Sequence, residues 1–214
     1  MIHPVSGNKS KQMKKIRIGI SGGAGYTGGE LIRILVNHPQ AEIIFVQSKS
    51  NAGKEIAAVH QDLAGDTGLR FTDQLQPDVD VLYLCVGHGA ARKFLSENVL
   101  DKKIRIIDLS QDFRLHANNL FPGNEFPFVY GLPELNRDKI RQAKNIANPG
   151  CFASAIELGL MPLAKKGWLG ETFTTGITGS TGAGQGLSPT AHFSWRVNNI
   201  QAYKTLTHQH LAEV

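Results

Sequence analysis

Ile16-Arg17-Ile18-Gly19-Ile20-Ser21-Gly22-Gly23-Ala24-Gly25-Tyr26-Thr27-Gly28-Gly29-Glu30-Leu31 decides the fold of this chain. Residues 16–20 have the β-branched pattern of a short buried strand. The glycines follow at once, and Glu30, Leu31, Ile34, Leu35 and Val36 continue as a helix ending near Asn37-His38-Pro39. Strand, glycine turn and helix in that order open a βαβ unit. Gly19, Gly22 and Gly25 are spaced GxxGxxG, a relative of the GxGxxG dinucleotide fingerprint, in which glycine lets the backbone approach a pyrophosphate that the helix N-terminus attracts. The motif alone also fits ordinary turns; its flanks select a nucleotide site, with Gly22, Gly25, Tyr26, Thr27 and Gly28 as the expected cofactor contacts.

The next strand, residues 42–47, ends in Gln47 followed by Ser48-Lys49-Ser50-Asn51-Ala52-Gly53-Lys54. An NAD site usually carries Asp or Glu there, to hold the ribose 2′-hydroxyl. Here Ser48, Ser50 and Lys54 offer donors and no carboxylate repels a 2′-phosphate, so the expected cofactor is NADP (NADPH) rather than NAD. The competing reading is a solvated polar loop. Residues 61–76 are polar and turn-rich, and no role is assigned to them.

Residues 79–86 form a near-continuous apolar run, the pattern of a parallel strand covered on both faces, and Gly87-His88-Gly89 follows its end. Loops at the carboxyl ends of parallel strands are where open α/β sheets bind ligands, which makes His88 a pocket candidate. Cys85, inside the run, reads as a core thiol without chemistry. A further strand at 105–109 leads to Asp112 and Arg114. The Arg114 guanidinium suits a substrate phosphate or carboxylate, and equally a local carboxylate such as Asp112. Residues 121–136, rich in proline and aromatics, read as an ordered connecting loop, and 144–147 as a short strand.

That strand delivers Asn148-Pro149-Gly150-Cys151, followed by an apolar helical run that bends or ends around Pro162. A thiol at a helix start lies where unpaired N–H groups and the helix dipole favour a thiolate, although a small buried core cysteine is the commoner case. Further on, 172–178 and part of 193–203 read as strands, and the loop 179–186 reads either as a hinge or as a cradle for a phosphate or carboxamide. His208 and His210, two apart, share one side if the segment is a strand. A metal there lacks an obvious third ligand, so none is expected.

The 214 residues, 41% of them hydrophobic, suffice to bury a real core. Two cysteines argue against a disulfide framework and for a reduced, cytoplasmic setting. No apolar run approaches the roughly 20 residues needed to cross a bilayer. The net charge of +5 is partly local, since Lys9, Lys11, Lys14, Lys15 and Arg17 crowd the start; the rest is scattered, which disfavours nucleic acid and suits anionic small molecules. The expected organisation is a disordered leader over 1–12, a Rossmann-type doubly wound α/β domain over 13–150, and the start of an α+β catalytic domain over 151–214.

The stretches GISGGAGYTGGEL (19–31), SKSNAGK (48–54), IIDLSQDFRL (106–115), YGLPELNR (130–137), ANPGC (147–151), GSTGAGQ (179–185) and AYKTLTHQH (202–210) follow one another in this chain. Together they resemble the N-acetyl-gamma-glutamyl-phosphate reductase family, NADP-dependent enzymes of arginine biosynthesis related to aspartate-semialdehyde dehydrogenases. Gly87 and Phe152 depart from the family's usual Pro and Tyr. The resemblance implies an acyl-phosphate substrate, release of inorganic phosphate, a homo-oligomer, and a nucleophilic Cys151 that forms a thioester. It implies acid/base work by His210 or His208, a cofactor contact at Gly182, and substrate contacts at Arg114, Ser180 and Gly184. Family members run longer, so 151–214 is expected to be an incomplete catalytic and dimerisation domain. Two rival readings stand beside this one: an aspartate-semialdehyde dehydrogenase-like reductase and a silent NADP-binding module.

Overall fold

The computed structural model describes residues 14–121, 123 and 125–214; the expected leader over 1–12 lies outside the described residues. Seven strands form one sheet: β1 Ile16–Ser21, β2 Ala41–Gln47, β3 Phe71–Thr72, β4 Val81–Leu84, β5 Arg105–Asp108, β6 Phe128–Tyr130 and β7 Asn145–Ala147. Their order is β3-β2-β1-β4-β5-β7-β6, and every ladder is parallel. The chain winds outward from β1 to β3 and then returns to place β4 on the other side of β1. That reversal opens a crevice at the carboxyl ends of β1 and β4, the place where such sheets bind ligands.

Helices α1 Tyr26–Val36, α2 Ala90–Glu97 and α3 Pro133–Gln142 flank the sheet's connections. Two apolar clusters are built on it. One joins Ile18, Ile20 and Val46 to Ile32 and Leu35 of α1 and to Ile56, Leu63 and Phe71; the other joins Leu82, Leu84 and Ile106 to Leu95 of α2 and to Phe113 and Phe128. The apolar runs of β1, β4 and β5 are thus explained, because a doubly covered parallel strand must be apolar on both sides.

Two expectations change in this half. The supposed loop over 121–136 contains β6 and the start of α3. Pro133 sits in the first turn of α3, where its missing N–H costs no helical bond, and Asn136 donates its side-chain amide to the Tyr130 carbonyl, 3.1 Å. The turn-rich stretch around 61–76 supplies the edge strand β3.

Helix α4, Cys151–Ala164, follows β7 and carries Pro162 without ending there. Beyond it the strands expected at 172–178 and within 193–203 do not form. Residues 172–178 are irregular, and the second stretch holds only the short helix α5, Phe193–Arg196. A strand requires a partner for its N–H and C=O groups, and among the described residues no ladder reaches these segments. Their side chains stay in solvent, with Phe173 82% and Ile177 85% exposed. The two histidines do not share a strand face either: His208 caps a single 3-10 turn, Gln209–Ala212.

Candidate active site

The glycine turn takes the shape that a phosphate-binding turn needs. Gly22 has φ +81°, and a Cβ there would lie 2.7 Å from the Cys85 carbonyl carbon, so only glycine permits this passage between β1 and β4. The Gly22 and Gly23 N–H groups donate to the Gln47 carbonyl at 3.1 and 3.0 Å, which ties the turn to the end of β2. Cys85 packs beneath it, and burial pushes its thiol up to about 12, as suits a core residue. Tyr26 and Thr27 open α1 from an exposed position.

Gln47 is held in place rather than offered to a ligand. Its side chain accepts from Ser21 Oγ, 2.6 Å, and donates to the Asp73 carbonyl, 3.1 Å. Immediately beyond it, the Asn51 amide donates to Ser48 Oγ and Ser50 Oγ at 3.4 and 3.3 Å, while Lys54 Nζ donates to Asn51 Oδ1 at 3.1 Å. The structure therefore gathers Ser48, Ser50 and Lys54 into one hydroxyl and ammonium cluster beside the glycine turn. These groups fit a dinucleotide carrying a 2′-phosphate, and the anion-seeking start of α1 fits its pyrophosphate.

Cys151 is the first residue of α4, exposed, with Gly150 as the N-cap. His210 arrives from far along the chain and lies flat against this turn: a Cβ on Gly150 would sit 2.6 Å from His210 Cδ2 and Cε1. Glu213, three residues on, fixes the arrangement. Its carboxylate accepts from Arg114 Nη1 at 2.9 Å, from the Gly150 N–H at 2.9 Å and from Tyr130 Oη at 3.1 Å, and it lies 3.9 Å from His210 Nε2. Tyr130 Oη also lies 2.9 Å from Glu157 Oε2, so its single proton is shared between two carboxylates and goes to one of them at a time; burial, then these carboxylates, raise the phenol's pKa.

His210 is buried, and its Nδ1 has no hydrogen-bond partner among the described residues. Burial lowers its pKa despite the opposing Glu213 carboxylate. His208 is spent differently: its Nδ1 accepts the His210 N–H at 3.1 Å, its ring meets His210 edge-on at 4.6 Å, and its Nε2 lies 3.5 Å from Tyr203 Oη. Burial and then Lys204 lower the His208 pKa. Among the described residues, no hydrogen bond joins either imidazole to the Cys151 sulfur. His88 also faces this region, accepting the Gln111 N–H on Nδ1, 3.2 Å; burial and then the Arg114 cation lower its pKa.

Of the two readings open for Arg114, its surroundings favour the local carboxylate, with Glu213 in the place of Asp112. Its Nε donates to the Asn148 carbonyl, 2.9 Å, its Nη2 to the Leu109 carbonyl, 3.0 Å, and its Nη1 to Glu213, with the side chain only 5% exposed. The guanidinium clamps the Cys151 turn from below and is not an open phosphate contact. Its carboxylate partner is Glu213, whereas Asp112 accepts the Gly89 and Arg92 N–H groups at the start of α2.

The 179–186 loop is brought to the glycine turn. Gln185 donates to the Ala24 carbonyl at 3.2 Å, and Ser180 and Gly184 line a cavity of about 690 Å³ together with Tyr26, His192 and Trp195. Ser180 and Gly184 thus lie toward the cofactor turn. Gly182 follows within the 3-10 turn Ser180–Ala183. Sequence reasoning missed Glu213, Tyr130 and Glu157. One signal was available for Glu213: it is the only acidic residue after Glu171, three positions past a candidate acid/base. Tyr130 and Glu157 carry no such mark. No cluster of three or more metal-ligating side chains occurs among the described residues.

Known proteins share the family and the fold. Residues 17–143 match the model for the NAD binding domain of semialdehyde dehydrogenase, and residues 151–214 match its dimerisation domain. N-acetyl-gamma-glutamyl-phosphate reductases from Christiangramia forsetii and Bacteroides thetaiotaomicron are 52% and 53% identical over 93% of the chain. The chain spans 60% and 61% of their lengths. Aspartate semialdehyde dehydrogenase II from Vibrio cholerae, complexed with ASA, superposes with a TM-score of 0.56 at 18% identity, over 81% of this chain and 49% of that one. The Candida albicans enzyme with NADP gives a TM-score of 0.51 at 16% identity, over 73% and 48%. At these identities the two structures speak for the fold.

Proposed function

Since the chain belongs to the semialdehyde dehydrogenase family, we propose that it carries the cofactor and nucleophile apparatus for NADPH-dependent reduction of N-acetyl-gamma-glutamyl phosphate to the semialdehyde and phosphate, a step of arginine biosynthesis. The observation that supports this most is His210 seated on Gly150, the residue preceding Cys151. A helix-start thiol and a buried imidazole from distant parts of the chain meet at one turn, as a thiol nucleophile with an acid/base requires.

Cys151 sulfur, as thiolate, attacks the acyl carbon. The C–S bond forms, the carbon–oxygen bond to phosphate breaks, and inorganic phosphate leaves with the bonding pair. The Cys151 N–H, at the first position of α4, is placed to donate to the oxyanion. The glycine turn and the Ser48–Ser50–Lys54 cluster would hold NADPH, which when bound would supply the hydride that takes the thioester to the aldehyde level. His210 takes the thiol proton before attack and returns it to sulfur as the C–S bond breaks. Nε2 lies on the Glu213 side, at 3.9 Å, so the atom assigned to take the proton is Nδ1, which has no hydrogen-bond partner among the described residues. His208 serves by positioning His210. The protein works in the cytoplasm as a homo-oligomer. Among the described residues no helix is long and apolar enough to cross a membrane.

The test is the reverse reaction, NADPH formation from NADP and phosphate with N-acetylglutamate semialdehyde or aspartate semialdehyde, run on the wild type and on Cys151→Ser. Turnover of the acetylated aldehyde that vanishes in Cys151→Ser is the expected result. Preference for aspartate semialdehyde transfers the proposal to the shorter acyl phosphate. NADPH binding without turnover or accelerated alkylation of Cys151 leaves a cofactor-binding module.

A further inference from the structure

We infer that His60 is a positioning residue for the cofactor, holding the Gly23 carbonyl inside the fold and so turning the Ala24 N–H toward the pyrophosphate of the bound dinucleotide. This rests on the dinucleotide reading above, and extends it to a residue outside the glycine motif.

His60 follows the 3-10 turn Ile56–Ala58, between Ile56 and Leu63, both fully buried. Its ring is buried and packs on Phe71 at 6.3 Å, tilted 58°. Its Nε2 lies 2.8 Å from the Gly23 carbonyl oxygen. A carbonyl only accepts, so Nε2 carries the proton. The approach is possible because residue 29 is glycine: a Cβ there would lie 2.6 Å from His60 Cε1 and Nδ1. The segment is further tied to α1, where Arg33 Nε donates to Asp62 Oδ2 at 2.6 Å.

The consequence follows from peptide geometry. All peptides here are trans, so the carbonyl of Gly23 and the N–H of Ala24 point in opposite directions. Pinning one inward fixes the other outward. Within the turn, the Gly22 and Gly23 N–H groups are taken by Gln47 and the Gly25 N–H by the Gly22 carbonyl at 3.3 Å. The Ala24 N–H alone has no protein acceptor among the described residues. It is the donor the turn keeps for a ligand, and His60 sets its direction. The same 48–60 stretch bears the Ser48–Lys54 cluster, so the 2′-phosphate end and the pyrophosphate end are joined through one segment.

The test compares wild type, His60→Phe and His60→Gln for binding of NADPH and of adenosine 2′-monophosphate, which lacks the pyrophosphate, with thermal melting alongside. His60→Phe keeps an aromatic ring but loses the donor. It is expected to weaken NADPH about tenfold, the scale of one hydrogen bond supporting a charged contact, while leaving adenosine 2′-monophosphate within about twofold. His60→Gln restores an N–H donor and is expected to recover NADPH affinity to within about threefold of wild type. His60→Asn, whose amide is too short to reach Gly23, replaces His60→Phe if that variant does not fold. Unchanged NADPH affinity in His60→Phe overturns the inference, as does equal weakening of both ligands, which would mark a merely structural residue. A wild-type chain that binds neither ligand overturns the dinucleotide reading itself, and this inference with it.

Discussion

Residues 14–150 and residues 165–206 use similar amino acids to opposite effect. In the first, Ile, Leu, Val and Phe disappear into two clusters on a parallel sheet; in the second, Phe173, Ile177, Leu187, Phe193, Ile200 and Leu206 all stand in solvent. Beyond Cys151, the buried residues among those described are Ala153 and His210, joined by the side chain of Glu213, 4% exposed. Strain follows the same division, since among the described residues the non-glycine ones with positive φ, Asn198, Lys204 and Leu206, all lie beyond α5. Apolar composition thus builds a core only where backbone pairing gives it a surface. The later segment is held at its end by polar groups, chiefly the Glu213 carboxylate.

That contrast can be broken most strongly at Glu213. Glu213→Ala leaves the Arg114 guanidinium buried without its partner, and losing one member of a buried pair costs about 3–5 kcal/mol. The expected readout is rapid proteolysis within 165–206 with the sheet still protected from hydrogen exchange. Simultaneous loss of protection in both regions would show that they do not differ as described. Next in size is Leu84→Ala in the fully buried β4, expected to lower unfolding free energy by about 2–5 kcal/mol in denaturant titration.

Asp108 gives a pH handle at the seam between the regions, where the Asn148 N–H donates to its carbonyl at 2.7 Å. Burial raises its carboxyl to about 6, against the bonds donated by Ser110. A folded-state value above the unfolded one means the folded state holds the extra proton between pH 3.8 and about 6. Stability from this group is therefore full below that window and falls as pH rises through it, by at most about 3 kcal/mol. Asp108→Asn, which keeps the same shape, is expected to flatten that slope. A stability profile unchanged by the substitution would contradict it. The smallest effect belongs to Phe173→Ala and Ile200→Ala, each expected within about 0.5 kcal/mol of wild type. A cost above about 2 kcal/mol would show that these side chains pack against something in solution.

Legibility along the chain follows the same physics. β1, the glycine turn, α1, β2, β4 and β5 were readable because their signals are local: periodicity, β-branching and glycine. β6 and α3 were hidden by Pro133 and Asn136, which suit a helix start as well as a loop. The strands anticipated at 172–178 and in 193–203 had the right residues, but strand formation depends on a partner, which no local pattern records. At the candidate site, the helix start at Cys151 was legible from Pro149 and Gly150, whereas the histidine pair, expected on one side of a strand, lies at a 3-10 turn. Arg114 was legible as an anion-binding group, although its anion is Glu213 of the same chain.

By itself, then, the amino-acid order determined the parallel sheet's core strands, the glycine turn, the acid-free end of β2 and a cysteine at a helix start, since each depends on neighbours a few residues apart. Tertiary structure alone decided that His210 rests on the Cys151 turn, that Arg114 faces inward, and that His60 reaches Gly23. Those contacts join residues 37 to 99 positions apart. Such pairings arise only when packing brings the partners together, because a side chain's free donors and acceptors do not say which distant group will meet them.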